Sequence, residues 1–490
     1  MFSEVSRIED RMTQFGRYLD RTNMDHKQYQ FDGLRWILNN ELRNDPVCGV
    51  RGGFIADEMG LGKTIMMIGT MLCNFVEKTL IIVPPVLLDQ WYTQIYRTTG
   101  HRALIYHGSN KHKIDLAALN SAKIVITTYG AITLSKSKIT KKVLTMLHKV
   151  SWVRIIFDEA HHLRNKKTTR YISARLLPAK IRWLVSGTPI QNSKKDFFNL
   201  CEMIRLPPSF YTESNNLVTL ARVFILKRSK KQVGIQMTQL RIDKNIVNWR
   251  NNQEMELSES IHSALAFSRV SVKKSTNFIT QCINGTLALM LRARQSCIYP
   301  KLMLNTLDTM VKKGFIRDYA AYKDVFNHSS KLDYAVNKIL QRKNNSCGKL
   351  IFCHFREEID EISSRLRAGG MTKVATFDGR TSNSRRSVIL NEKNDALILQ
   401  IQTGCEGLNL QENYSEIYFI SPHWNPAVED QAIARCHRIG QTKDVYVERF
   451  EMCKFVDNDQ EIDTMTVDKY VDSVQEGKRN LASECIEIIP

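Results

Sequence analysis

The sequence predicts an α/β fold built as two parallel-sheet lobes with helical insertions. Three observations carry that prediction. Ile- and Val-rich runs alternate with stretches of helical spacing from residue 54 to about residue 206; a second such series follows residue 330; the residues between them read as helix.

In the first series, TLIIVPP (79–85), KIVITTY (123–129), VRIIFDE (153–159) and RWLVSGT (182–188) each read as a strand apolar on both faces, with a turn or polar group at the carboxyl end. Such strands, separated by helices, argue a parallel sheet covered on both sides. Ligands of sheets of this kind bind beyond the carboxyl ends of the strands. KLIFCHF (349–355), KVATFDG (373–379), ALILQIQ (396–402), EIYFISP (416–422) and DVYVERF (444–450) predict the second sheet. The interval is helical and basic, with Lys227, Arg228, Lys230, Lys231, Lys273 and Lys274 in it. The expected division is a first lobe over 1–206, a mainly helical insertion over 207–330 and a second lobe over 331–490. That lobe ends in an acidic stretch (Asp457, Asp459, Glu461, Asp463, Asp468, Asp472), read as a solvated helix or tail. No internal repeat or long Gly/Ser linker interrupts this order.

Seventy Lys and Arg against 50 Asp and Glu leave a formal charge of +20 on 490 residues, which points to an acidic partner. At 43% hydrophobic and 24% charged residues, collagen-like, low-complexity and largely disordered chains are excluded. No apolar run approaches the ~20 residues of a membrane span, and MFSEVSRIEDR lacks the apolar core of a signal peptide. Neither a membrane protein nor a secreted one is expected. The cysteines, 11 in number and without a C-x-x-C pair, read as thiols of a reducing compartment, not as a disulfide framework or a zinc module.

Three motifs carry chemistry. DEMGLGKT (57–64) precedes an apolar helical run. Gly60 and Gly62 let the backbone wrap phosphates, Lys63 supplies charge for the terminal phosphates, and the Thr64 hydroxyl suits Mg²⁺. Asp57 stands where the strict phosphate-loop pattern has its first glycine. VRIIFDEAHH delivers Asp158 and Glu159 at the end of a buried strand, where adjacent acids are costly unless a cation needs them. Asp158 is placed to hold Mg²⁺ and Glu159 to orient and deprotonate an attacking water. His161 and His162 lack further ligands at metal spacing, so contact with a phosphate or the other lobe is the expectation there. In QAIARCHRIGQ (431–441), Arg435 and Arg438 stand three apart, read as one helical face. Paired guanidinium groups suit the equatorial oxygens of a phosphoryl group in transfer.

In order along the chain, these motifs resemble the superfamily 2 helicase-like ATPases, and specifically the Swi/Snf-type DNA-translocating and chromatin-remodelling branch. KQYQFDGLRWIL (27–38) looks like its Q-motif, in which Gln30 would recognise adenine. DEMGLGKT matches motif I, IIVPPVLLDQW (81–91) motif Ia, DEAH (158–161) motif II and LVSGTPIQNS (184–193) motif III. FILKRSKKQV (224–233) and LRARQSCIYP (291–300) match the spacer blocks, LIFCHF (350–355) motif IV, GLNLQ (407–411) motif V and QAIARCHRIGQT (431–442) motif VI. HRIGQ with WNPAVEDQA is specific to this branch. Cys405 and Glu406 depart from the glycine-rich lead of motif V; a neutral change and an altered coupling to DNA both stay open.

The resemblance implies two RecA-like lobes that bind ATP and Mg²⁺ between them. Asp57, Glu58, Met59, Gly60, Leu61, Gly62, Lys63 and Thr64 would contact the nucleotide, with Gln30 and Gln441, while Arg435 and Arg438 would close onto its phosphates. It implies a motor on double-stranded DNA acting on nucleosomes or transcription complexes in a nucleus, the host's if the chain is viral. Arg385, Arg386, Lys227 and Lys230 are the expected auxiliary DNA contacts. Chains so short are similar to viral members such as the baculovirus global transactivators. A strand-separating helicase and an ATPase-dead nucleic-acid-binding regulator are the alternatives; intact Lys63, Asp158, Glu159, Arg435 and Arg438 speak against the second.

Overall fold

A computed structural model describes residues 2–141, 143–187, 194–263, 265–266, 271–272, 286–313, 319–404, 408–457, 460–461 and 464–487. The chain divides into two units, Met1–Gln236 with Lys478–Pro490, and Met237–Gly477.

The first unit is built on seven strands: β1 (Arg51–Ile55), β2 (Thr79–Val83), β3 (Leu104–Tyr106), β4 (Ile124–Thr128), β5 (Trp152–Asp158), β6 (Ala179–Val185) and β7 (Ile225–Leu226). They lie in the order β3-β4-β2-β5-β6-β1-β7, and every pairing is parallel. Side chains alternate across each strand. Leu80 and Ile82 of β2, Val125 of β4, and Ile155 and Phe157 of β5 therefore enter one apolar cluster. Ile81, Val83, Ile124, Ile126 and Ile156 enter the cluster on the other face, with α1 (Phe2–Arg21), α2 (Gln28–Leu42) and α3 (Lys63–Cys73). Near that layer Arg154 and Glu41 form a fully buried ion pair, and Glu41 also accepts from Trp183 Nε1 and Asn74 Nδ2, both at 2.7 Å. Those extra donors are what such a pair needs to be stable away from water.

β1 escapes a reading by periodicity because Gly52 and Gly53 interrupt it. A Cβ on Gly52 would stand 1.9 Å from the Arg182 carbonyl oxygen, and one on Gly53 2.5 Å from that of Phe224. The close approach of β6 and of the residue before β7 requires both glycines.

The second unit carries β8 (Leu240–Val247), a short antiparallel pair of β9 (Leu265–Ala266) and β10 (Ser271–Val272), and then β11 (Gly348–Cys353), β12 (Val374–Phe377), β13 (Ala396–Gln400), β14 (Tyr414–Phe419) and β15 (Val445–Met452). Its main sheet runs β12-β13-β11-β14-β15-β8, again all parallel. Ile351, Ile398 and Tyr418 face one cluster; Leu350, Leu397, Leu399, Ile417 and Phe419 face the other. Both parallel-sheet lobes are thus present, with helices packed on them.

The expected boundaries shift. FILKRSKK belongs to the first lobe, because Ile225 and Leu226 pair with Phe54 and Ile55. Residues 237–330 join the second unit, because β8 adds a strand beside β15. The acidic stretch also reads differently: Asp468, at the start of the helix Val467–Glu487, is buried in an ion pair with buried Lys331. Asp459 and Asp463, like Lys273 and Lys274, lie outside the described residues. Among the described residues no helix is long and apolar enough to cross a membrane.

Candidate active site

β1 leads into a loop over 56–62, and Gly62 caps α3. Gly60 (φ +95°) and Gly62 (φ +82°) adopt the left-handed conformation that glycine takes without strain. Lys63 Nζ donates to the carbonyl oxygens of Asp57 (2.8 Å) and Glu58 (3.3 Å), so the loop curls around its own ammonium group. Thr64 follows, half-buried in the first turn of α3, while Leu61 is buried and Met59 lies against Gly187. A Cβ on Gly62 would come within 2.4 Å of Gln30 Nε2.

The loop is held from outside by side chains expected to meet ligands. Fully buried Asp57 takes a forked pair from Arg228, with Nε at 3.1 Å and Nη2 at 2.6 Å. Arg228 also donates to the Tyr29 carbonyl and lies 5.7 Å from the centre of that ring. Glu58 accepts from the Lys230 amide at 2.8 Å and pairs with Lys230 Nζ at 3.1 Å. Asp57 and Glu58 therefore anchor the loop through their carboxylates. Lys230 is thus a buried partner of Glu58. Burial pushes the Lys227 ammonium down to about 8. Gln30, also buried, donates its Nε2 to the Leu61 carbonyl at 3.3 Å and supports the loop from below.

Asp158 ends β5, between β2 and β6, at the same edge of the sheet. Its carboxylate accepts from Trp91 Nε1 at 2.7 Å and from the Glu159 amide at 3.0 Å, and its carbonyl accepts from the Tyr129 hydroxyl at 2.7 Å. Burial, and then the neighbouring Glu159 charge, push the Asp158 carboxyl up to about 6, with Lys63 pulling the other way. A buried carboxylate so strained electrostatically is a ready partner for a hard cation. Thr64 and Asp158 supply the oxygen donors that Mg²⁺ takes alongside phosphate oxygens and water, so the residues present fit Mg·ATP.

Glu159 has φ +50°, ψ +50°, a conformation costing a non-glycine residue about 1 kcal/mol. Its Oε2 lies 3.3 Å from His161 Nδ1, which in turn lies 3.3 Å from Ser186 Oγ at the end of β6. His162 contacts Arg170 Nη1 at 3.3 Å and packs 5.2 Å from the Tyr129 ring. The two histidines thus brace the turn after Asp158. Two partners had escaped the sequence reading, Trp91 and Arg228. The burial of Asp57 signals a cation, but several bases stand in KRSKK and the sequence does not single one out.

In the second lobe, the helix Pro426–Ile433 stops before Arg435. Arg435 and Arg438 lie on turns that follow it, not on a helical face: the His437 amide donates to Ile433 at 2.8 Å, the Arg438 amide to Cys436 at 3.0 Å, and Gly440 has φ +95°. The two guanidinium groups remain neighbours, since burial and then the Arg435 charge lower the pKa of Arg438, which also donates to Asn409 Oδ1. Gln441 holds this turn: its Nε2 donates to the carbonyls of Gln411 (2.9 Å), Tyr414 (3.0 Å) and Cys436 (3.3 Å), and its Oε1 accepts from the Lys443 amide. With its amide so engaged, Gln441 braces this turn. Arg386 donates to the Thr381 and Asp378 carbonyls and lies over Phe377, whereas Arg385 is exposed. Cys405, Glu406 and Gly407, and residues 188–193 of motif III, lie outside the described residues.

Comparison with known proteins accords with these motifs. The family model for the SNF2-related domain matches residues 29–302, and that for the helicase conserved C-terminal domain matches 330–440. The chain is 26% identical over 455 residues to a probable global transactivator of Orgyia pseudotsugata multicapsid polyhedrosis virus, covering 88% of this chain and 86% of that one. It is 27% identical to mouse chromodomain-helicase-DNA-binding protein 6, with 86% of this chain but only 16% of the relative covered. It is 24% identical to the Arabidopsis thaliana ATP-dependent DNA helicase DDM1, covering 88% of this chain and 59% of that one. The chain thus spans less than two thirds of the length of either cellular relative. Among solved structures it matches a Sulfolobus solfataricus SWI2/SNF2 ATPase core in complex with dsDNA, at 22% identity, 94% and 93% coverage and a TM-score of 0.38. With one family model spanning more than half of its length, the chain belongs to the SNF2-related family and is an enzyme of the helicase-type, DNA-dependent ATPase class.

Proposed function

We propose that this chain is an ATP-hydrolysing motor that translocates on double-stranded DNA and remodels protein bound to it, with nucleosomes or transcription complexes as its targets and the nucleus as its place of action. The observation that supports this most is the loop over 56–62, with Gly60 and Gly62 in the left-handed region and Lys63 Nζ held on the Asp57 and Glu58 carbonyls, in the same lobe as the buried Asp158 at the end of β5. In this reading Lys63 and the loop amides bind the phosphates, and Thr64 and Asp158 hold Mg²⁺, which supplies charge neutralisation on the phosphoryl oxygens. Glu159 orients the attacking water and takes its proton, steadied by His161. Arg435 and Arg438 are the second lobe's phosphate-binding pair. Exposed Arg385 remains as a DNA contact, giving affinity that falls with salt and depends little on sequence.

The test pairs triplex displacement with strand unwinding on purified protein. Displacement of a third strand without separation of a forked duplex is expected; efficient unwinding would favour the strand-separating reading. Lys63→Ala and Glu159→Gln are expected to bind DNA and lose ATP turnover, and undiminished hydrolysis by either would overturn the site.

A further inference from the structure

The first lobe holds a cavity of about 820 Å³ whose lining includes none of the residues of the proposed nucleotide site. Lys166, Arg175, Lys195 and Arg205 line it against one acid, Glu202, a net charge of +3. Arg175 neutralises Glu202 at 3.3 Å, while Lys166, Lys195 and Arg205 have no carboxylate partner among the described residues. Phe198 and Tyr211, with ring centres 5.4 Å apart, add an aromatic wall.

Arg205 is the second observation. It follows the helix Lys194–Met203 with φ +68°, and the Leu206 amide closes the turn on the Cys201 carbonyl at 3.2 Å. A turn of this kind usually places glycine at the left-handed position. An arginine there is strained, and its guanidinium lines the cavity instead. Behind it Arg182 is buried, donating to the Leu177 and Met203 carbonyls, with Nε lacking a partner. Burial, then Arg205 and Arg175, lower the pKa of Arg182, as expected of cations gathered without an anion.

We propose that this pocket is a second anion site of the first lobe, binding a small, multiply phosphorylated molecule through Arg175, Arg205, Lys166 and Lys195. Arginine forks and lysine ammonium groups match phosphate oxygens. The volume is that of a small-ligand cavity.

Inorganic tripolyphosphate is the probe, titrated by calorimetry at low salt into the full chain carrying Lys63→Ala, so that the phosphate loop does not compete. One site per chain is expected. Adding Arg205→Gly and Lys195→Gln should weaken it by about tenfold or more. Glycine accepts the left-handed backbone, so this variant should melt no lower than its parent without ligand. No binding to the Lys63→Ala protein, or binding untouched by the two changes, would overturn the proposal. So would stoichiometric displacement of tripolyphosphate by a short duplex, which would make the pocket part of a DNA path. Loss of ATPase activity by Lys63→Ala bears on the motor reading alone.

Discussion

Replacing Trp91 with Phe removes one hydrogen bond from Asp158 while leaving an aromatic ring in the core. The indole Nε1 donates to Asp158 Oδ2 at 2.7 Å, and both side chains are buried. A hydrogen bond to a charged group contributes about 1.5–3 kcal/mol, which at about 1.4 kcal/mol per pKa unit is a shift of roughly one to two units. The bond favours the ionised carboxylate, so its loss moves Asp158 upward from about 6. Mg²⁺ needs the ionised form, and activity therefore falls as pH drops through this pKa. At pH 7.5 nearly all of the parent enzyme is ionised; in the variant the fraction lies between about a quarter and three quarters. The assay is kcat/KM for ATP against pH at fixed, limiting MgCl₂, which reports the free enzyme. The acid limb should move up by one unit or more with the high-pH plateau largely kept. A uniform loss at every pH with the limb unmoved would show that Trp91 only packs, and would refute the reasoning.

Arg228→Ala leaves the Asp57 carboxylate buried and alone, and should cost about 3–5 kcal/mol in denaturant unfolding while raising KM for ATP; Arg228→Lys, which keeps the charge but loses the fork, should fall between. Glu159→Gly relieves the left-handed backbone and should stabilise the protein by up to about 1 kcal/mol while abolishing turnover, a divergence that a merely unfolded variant could not show. Gln441→Ala frees three carbonyls and should lower the melting temperature and kcat together, with KM for ATP nearly unchanged; a rise in KM alone would identify Gln441 as a nucleotide ligand.

The central strands were legible because both of their faces are buried: every residue of β2, β4, β11 and β14 is buried, and each carries a short apolar run. The less regular strands were not. β1 is broken by Gly52 and Gly53, β7 is two residues long, and β8 exposes most of LRIDKNIV, so none shows a strand period. The site divided in the same way. Lys63, Thr64, Asp158 and Glu159 were readable because their spacing is local. The Arg228 to Asp57 pair spans 171 residues and the Trp91 to Asp158 bond 67, and spacing carries no signal across such distances. Arg435 and Arg438 read as one helical face, but the helix ends earlier, since the amides after Ile433 close turns instead.

The steady-state ATPase rate of the purified chain with no nucleic acid, duplex DNA, single-stranded DNA, RNA and nucleosomes tests the motor reading most directly. Stimulation greatest with duplex DNA or nucleosomes, and abolished by Lys63→Ala, is the predicted result; turnover indifferent to duplex DNA, or stimulated by RNA alone, would contradict it.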